Sequence, residues 1–538
     1  MVGAGGAFAE VAALEKRGRP LQQELLCLEN ISGRGALDFF KCSARVENRR
    51  SIVMSAAAAK TQLPVPASLN YQEPPTLYGI ESQEVRYPAQ YLPPSVNSLG
   101  TQIDFMIPQA ANCFLDTSTS MLSFSVQVIL NVKDNFFTAD QVTDSTYAGM
   151  ACIRGSGGWS FFHRLETLFN SSQTLDTIFN VGQFVNVFRN LSQNQADQLG
   201  DSICFGDGNE SYPTLVNVGT PLGAGGCYTG VYNSTKDQVT CNLSYSIPLV
   251  GYCGMGSCGN LMPQLAGPHR VTLSFASSND YVYLDKTNFL SVADVIVSRA
   301  ELVFTQVRVE TTLLNVIRAS LPRKGELVIR SNAVIASQNT IPAGQSNQGQ
   351  FLLSTGAQST KAFITTFCPP DDVDGLYGSI CPNINEFSYN LSSHSYPYGQ
   401  MLIGRSPTDV YYRLLHSMGV WSTTNGKPNF AASSYFVGME AAKPHQMFRK
   451  YRVAGSTESP MDKTKFSDSF VIFQDVEFFA DRGSGSGYFS GVDTRSNSNF
   501  LQVNFSAATT CTITATTFSL VDQLISYNLD AHTCIRVL

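Results

Sequence analysis

Beyond residue 97 the chain is dominated by hydrophobic and polar residues that alternate with period two. In the run MLSFSVQVIL, Leu122, Phe124, Val126 and Val128 alternate with Ser123, Ser125 and Gln127. Successive side chains of a strand point to opposite faces, so this pattern predicts a strand buried on one side only. Val271, Leu273 and Phe275 alternate with Thr272 and Ser274, and Val303, Val307 and Val309 oppose Gln306, Arg308 and Glu310. Further strands are predicted at 326–330, 360–367, 470–478, 500–505 and 511–518, rich in Thr, Val, Phe and Tyr and punctuated by Gly, Asn and Ser. Many short strands with long loops point to antiparallel sandwiches rather than a parallel sheet with crossover helices.

Two segments break the pattern with helical spacing. In SPTDVYYRLLHSMG, Ser406 stands as N-cap, Pro407 at the first helical position and Asp409 in the first turn. The apolar stripe is Val410, Tyr411, Leu414, Leu415 and Met418, and Gly419 ends it. A second helix is predicted over 181–199, with Phe184, Val187, Phe188 and Leu191 on one face. One helix falls in each half at comparable depth, a weak internal repeat of architecture rather than of letters.

Residues 1–53 have a different texture. Leu21, Leu25 and Leu28 suggest one brief helix after Gly18 and Pro20, and eight basic residues are nearly matched by six acidic ones. Met54 then opens the plain stretch MSAAAAKTQLPVP, and prolines at 64, 66, 74, 75, 88, 93 and 94 make 61–97 an extended lead-in. Two readings of 1–53 stand side by side: a flexible arm, or an upstream extension with the mature chain starting near Met54.

Composition narrows the function. The 538 residues exceed one ordinary core, so two large domains or three smaller ones are expected. Charged residues make up only 14%, which suits a surface lying against copies of itself, since few charges need desolvating there. A net charge of -6 argues against gripping nucleic acid over the whole surface. No stretch reaches the length of an apolar membrane span, and no signal peptide is read. The sequons at Asn170, Asn190, Asn233, Asn242 and Asn390 are accordingly expected to carry no glycans.

Candidate chemistry is sparse. The 13 cysteines are odd in number, and Cys253 and Cys258, flanked by Cys227 and Cys241, lack tight zinc spacing or neighbouring histidines. Reduced, mostly buried thiols are expected. Of the six histidines, His163 before a strand and His416 inside a helix read as structural. The glycine-rich 482–491 reads as a hairpin loop, since a phosphate cradle needs a following Lys-Ser/Thr and a helix start. Asp371, Asp372 and Asp374 lack the other ligands of a calcium loop. Trp159 reads as an anchor for the strand beginning at Phe161, not as a stacking platform for nucleic acid. No catalytic, cofactor-binding or metal-ligating residue is assigned, and no enzyme activity is expected.

Taken in order, several segments resemble the double jelly-roll major capsid proteins of the Polinton-like, adintovirus and virophage group. Their wider relatives are adenovirus hexon and the capsid proteins of large nucleocytoplasmic DNA viruses. TQIDFMIPQAANCFLDTSTSMLSFSVQV (101–128) looks like the opening strands of the first barrel. Residues 161–191 look like the next strand pair and its helix, and 261–284 are similar to the strand that closes that barrel. Residues 325–367 resemble the early strands of barrel two, 385–419 the segment leading into its helix, and 469–505 its final strands, including the Ser490-Gly491-Val492-Asp493 turn. The likeness spans roughly 98–535 and rests on co-linearity rather than on a hard motif.

The resemblance implies an all-β fold: two tandem eight-stranded jelly-roll sandwiches with short helices in loops. Residues 1–70 would be an N-terminal arm or extension, 71–297 the first jelly roll and 298–538 the second. The loops 201–240 and 368–385 would build towers and clasps. The implied function is that of a major capsid protein forming pseudo-hexameric homotrimers in the icosahedral shell of a dsDNA virus. Its partners would be itself, neighbouring capsomers, penton and minor capsid proteins, with an inner contact of 1–53 with genome or membrane and no small-molecule substrate. The virion is the expected location, after assembly in host cytoplasm or nucleus. Two alternatives stay open: a carbohydrate-binding β-sandwich surface protein, and a single jelly-roll capsid protein with a projecting domain.

Overall fold

The computed structural model describes residues 80–132, 150–153, 157–192, 214–217, 229–233, 235–254, 261–284, 289–321, 325–368, 379, 382, 384–391, 394–403, 406–417, 470–477, 491–495, 498–509 and 512–538. Strands of the first half are β1 (Ile80–Pro88), β2 (Gln102–Ile107), β3 (Cys113–Val132), β4 (Met150–Ile153), β5 (Phe162–Phe169), β6 (Gln173–Phe179) and β7 (Thr214–Asn217). They continue as β8 (Thr229–Asn233), β9 (Gln238–Pro248), β10 (Leu261–Met262), β11 (His269–Phe275), β12 (Val282–Leu284) and β13 (Phe289–Val309). The second half carries β14 (Glu326–Ile341), β15 (Gly349–Leu352), β16 (Thr360–Cys368), β17 (Ile384–Leu391) and β18 (His394–Leu402). After these come β19 (Val471–Asp475), β20 (Phe500–Phe505), β21 (Ile513–Asn528) and β22 (Thr533–Val537). Three helices matter below: α1 (Val181–Ser192), α2 (Thr311–Ser320) and α3 (Pro407–Ser417).

The pairing is antiparallel throughout and its order repeats. In the first half β1-β13-β3-β9 form one sheet, extended by β8 and by β10 on β3, and β2-β11-β5-β6 form the other; β12-β4-β7 is a small third sheet. In the second half the sheets are β14-β21-β16-β19, with β22 added to β21, and β15-β20-β17-β18. Setting aside the short extra strands, each half has eight principal strands. Numbered from first to eighth, they are arranged 1-8-3-6 in one sheet and 2-7-4-5 in the other, in both halves. Two four-stranded sheets wound in this way are a jelly roll. The reading of one jelly roll plus a projecting domain is overturned, because the second half is itself complete.

The cores follow from the alternation. Leu122, Phe124, Val126, Val128 and Leu130 of β3 are all buried, while Ser125 and Gln127 face outward and bond across to Ser244 (3.1 Å) and Asn242 (3.0 Å) of β9. Between the sheets Phe124 meets Phe162 edge-on at 5.4 Å, and in the second half Phe363 stacks on Tyr389 at 5.2 Å. Trp159 is fully buried just ahead of β5, with its indole N–H donating to the Pro248 carbonyl (3.2 Å). Such a side chain satisfies its one donor and fills volume, as its place before the strand predicts.

Both predicted helices form, each directly after the fifth strand of its jelly roll. For α3 the backbone N–H groups of Asp409 and Val410 reach the Ser406 carbonyl at 3.1 and 3.2 Å, and Val410 and Leu414 are buried. The helix expected over 181–199 is α1; residues 193–199 lie outside the described residues.

Several expectations are corrected. The boundary at 297/298 falls inside β13, whose residues 301–309 pair with β1 and β3 of the first sandwich; the halves part after Val309. Twenty-one residues without a turn signal are longer than an ordinary strand, which hid the continuity. Segment 261–284 does not close the first barrel: β11 lies inside a sheet between β2 and β5, and β13 closes the fold. Likewise β20 is followed by β21 and β22, so 469–505 does not hold the last strands. The stretch 201–240 is not loop alone, since β7 pairs with β4 and β8 with β9. α2, between the sandwiches, is an element without a sequence-based prediction. The arm 1–70, the brief helix near Leu21, the acidic 371–374 and the glycine-rich 482–490 lie outside the described residues.

Candidate functional site: the junction of the two sandwiches

β21 carries the connection. Its early residues pair with β16, and its last five pair with β22 on one side and with the start of β14 on the other. The β21–β22 hairpin thereby presents a row of side chains to the β5–β6 side of the first sandwich. The Tyr527 hydroxyl lies 2.8 Å from that of Tyr252 and 3.2 Å from Nε2 of His269, all three fully buried. Gln523 Nε2 donates to the Leu175 carbonyl (2.9 Å), and the Cys534 N–H donates to Gln173 Oε1 (3.1 Å). At the hairpin tip Asn170 Nδ2 donates to the His532 carbonyl (2.9 Å), while His532 Nδ1 is 2.8 Å from the Ala266 carbonyl.

α1 makes the second half of the contact. Gln183 Nε2 reaches Thr366 Oγ1 (2.9 Å) and Cys368 Sγ (3.0 Å) on β16, and the Phe184 ring meets Phe518 of β21 at 5.4 Å. α1 stays close to its own sandwich because of Gly182: a Cβ there would lie 2.8 Å from the Trp159 carbonyl oxygen.

Burial sets the electrostatics. It pushes His269 down to about 4, against the backbone of Gly267, so the ring is neutral at ordinary pH. It raises Asp176, opposed by the charge of Arg536 and by backbone N–H groups, including that of Tyr252 at 2.9 Å. Arg536, from β22, is in turn lowered by burial and held up by Asp176. The thiols of Cys253 and Cys534 are pushed up to about 12, which leaves them protonated and unreactive. Neutral imidazole, phenols and thiols, with the charge of Arg536 acting on Asp176 across the boundary, make a cohesive interface. A separate buried charge lies within the second sandwich: Asp522 accepts from Ser359 (2.8 Å) and meets Arg330 (3.0 Å) and Lys361 (3.2 Å).

The singled-out residues do not converge. His163 sits on β5 with its ring 6.5 Å from Phe179, and His416 falls on α3. The described cysteines 113, 241, 253, 368 and 534 are all free, and only Cys368 is more than slightly exposed. Among the described residues no three His, Cys, Asp or Glu side chains gather as metal ligands. Tyr252, Tyr527, Asp176 and Arg536 were not singled out, since a hydroxyl pair 275 positions apart leaves no local signal.

Among solved structures the chain is similar to a chain of the PBCV-1 virus capsid at 10% identity, covering 89% of this chain and 99% of that one with a TM-score of 0.51. It is equally similar to a chain of the Sputnik virophage structure, at 12% identity, 89% and 93% coverage and a TM-score of 0.51. The fold is the double jelly roll. No family model and no curated protein matches the sequence. The likeness runs through both sandwiches and takes in nearly the whole of each compared chain.

Proposed function

We propose that the protein is the major capsid protein of a double-stranded DNA virus, a building block whose work is assembly rather than turnover. The observation that carries this is the repeated 1-8-3-6 and 2-7-4-5 strand order in two sandwiches of one chain, joined through Tyr252, His269 and Tyr527 and through Gln183. Two similar sandwiches per chain give three chains six near-equivalent corners, the outline that tiles a hexagonal lattice. A low charge density supports the same reading, because packed neighbours then bury few unpaired ions. The proposed particle is a homotrimer that contacts further capsomers, with penton and minor capsid proteins filling the vertices and seams. Residues 1–53 are placed on the inner side, toward genome or membrane.

The test is the mass of the purified protein by light scattering, with negative-stain imaging of the eluted particle. Three chains of 58.5 kDa with a hexagonal outline are expected. A monomer at micromolar concentration overturns the proposal.

A further inference from the structure

β1 is an edge strand of the first sandwich's 1-8-3-6 sheet. It pairs with β13 along one side, and among the described residues no strand pairs with its other side before Ala89, which bridges Phe105 of β2. Ile80 to Glu84, Arg86 and Pro88 are all exposed. The Ala89 N–H donates to the Ala300 carbonyl at 2.9 Å, and this fixes the phase of the ladder. Bonds of an antiparallel pair fall on alternate residues, so Val85 and Tyr87 turn their backbone groups to β13, while Ser82, Glu84 and Arg86 turn theirs away. Gln90, next in the outward set, donates to the Asp104 carbonyl of β2 at 2.8 Å, in the same phase. An outward row of backbone groups is a template for one more strand.

Charges and a proline are the ordinary means of blunting such an edge, but here their order selects a partner. Glu84 and Arg86 have half-exposed side chains 2.8 Å apart, and Arg86 also lies 3.5 Å from Glu301 of β13. Two copies of one strand pair antiparallel about a two-fold axis, and the outward phase requires a residue on that axis. With Glu84 on the axis, two carboxylates stand opposite each other; with Arg86 there, two guanidinium groups do, and like charges so placed repel. With Gln83 on the axis, Glu84 meets Ser82 and Arg86 meets Ile80, so neither charge is answered. With Val85 on the axis, Glu84 of each copy stands opposite Arg86 of the other. Pro88 then falls opposite Ser82 at the end of the ladder, where its carbonyl accepts and no N–H is needed.

We infer that β1 of one copy pairs with β1 of a second copy about a two-fold axis at Val85, so that one sheet runs through two first sandwiches. The occupant is another copy of this chain because Glu84-Val85-Arg86 is complementary to its own reverse in the one register that satisfies both backbone and charge. The contact is isologous, each chain giving and receiving the same strand, and differs from the closure of a trimer. A single short ladder belongs to the small, transient interfaces, below about 1,200 Å² in total, so it forms at high local concentration. The inference rests on the capsid reading only for what it joins, which is one trimer to another.

The experiment follows mass by sedimentation velocity over a concentration series for the wild type, for Arg86→Glu and for the double exchange Glu84→Arg with Arg86→Glu, with a thermal melt of each. Expected is a doubling of the wild-type mass at high concentration, its loss in Arg86→Glu and its return in the double exchange, where opposite charges face each other again. A wild type that never doubles overturns the inference, as does a doubling that survives Arg86→Glu or stays absent in the double exchange. Val85→Cys tests the register without altering charge. Opposite residues of this pair type have Cα atoms about 4.5 Å apart, within reach of a disulfide. Oxidation is expected to link two chains of Val85→Cys and not of the wild type, and no link in the variant overturns the register. The mass at the dilute limit is read separately: a single chain there overturns the trimer and leaves the strand pairing standing.

Discussion

Tyr252 and Tyr527 stand 275 positions apart in the chain with their hydroxyls 2.8 Å from one another, one from each jelly roll. Tyr527 is the hub, because its hydroxyl also meets Nε2 of His269 at 3.2 Å. Buried hydroxyls need partners, so this trio fixes one relative placement of the two sandwiches rather than a range of them.

Removing the hub hydroxyl strands two groups, and removing the terminal one strands only a single bond. Tyr527→Phe is therefore expected to cost about 1–3 kcal/mol and Tyr252→Phe less. Chemical denaturation of both variants checks the order; equal losses, or a larger one for Tyr252→Phe, contradict the hub role.

His269 makes the junction acid-sensitive. Its folded value of about 4 lies below the ordinary 6.5, so the unfolded chain takes up the proton first as pH falls. Stability is full above about 6.5, declines through the window down to 4 and then levels, a loss of about 3 kcal/mol by proton linkage. Asp176, raised by burial, contributes with the opposite sign in acid, so the comparison must isolate His269. His269→Asn is expected to flatten the difference between denaturation midpoints at pH 7 and pH 4; an unchanged slope counts against the assignment.

Asp522 answers two cations from a buried position. Asp522→Ala leaves Arg330 and Lys361 facing each other without their counter-charge, and a loss of about 3 kcal/mol is expected. A thermal melt of the variant shows it as a lowered midpoint, whereas Arg495→Ala, in an exposed pair with Asp493, is expected to leave the midpoint in place.

Gly182 reverses an ordinary rule. Replacing glycine by alanine inside a helix usually stabilises by about 1 kcal/mol. Here the added Cβ meets backbone of the Trp159 segment at 2.8 Å, which cannot swing aside. Gly182→Ala is expected to destabilise, and a raised melting temperature would show that α1 sits less tightly than described.

The strands and the two repeated helices were legible in the sequence because each rests on local periodicity. Leu122 to Val128 declare a one-sided strand, and Ser406-Pro407 with Val410 and Leu414 declare a helix, whatever lies around them. The helical stripe of α2, Leu313, Leu314 and Ile317, was there to be read but stood between stronger strand signals. The likeness in segment order carried the reading as far as two jelly rolls. Where one sandwich ends was not legible, because the end of β13 is set by its pairing with β1, some 220 positions earlier. The junction was not legible either. His269 looks like any strand-opening polar residue, and only the tertiary fold brings Tyr527, Asp176 and Arg536 near it. Pairing across such distances leaves no spacing to read, since only local periodicity shows in a sequence and these contacts join residues hundreds of positions apart.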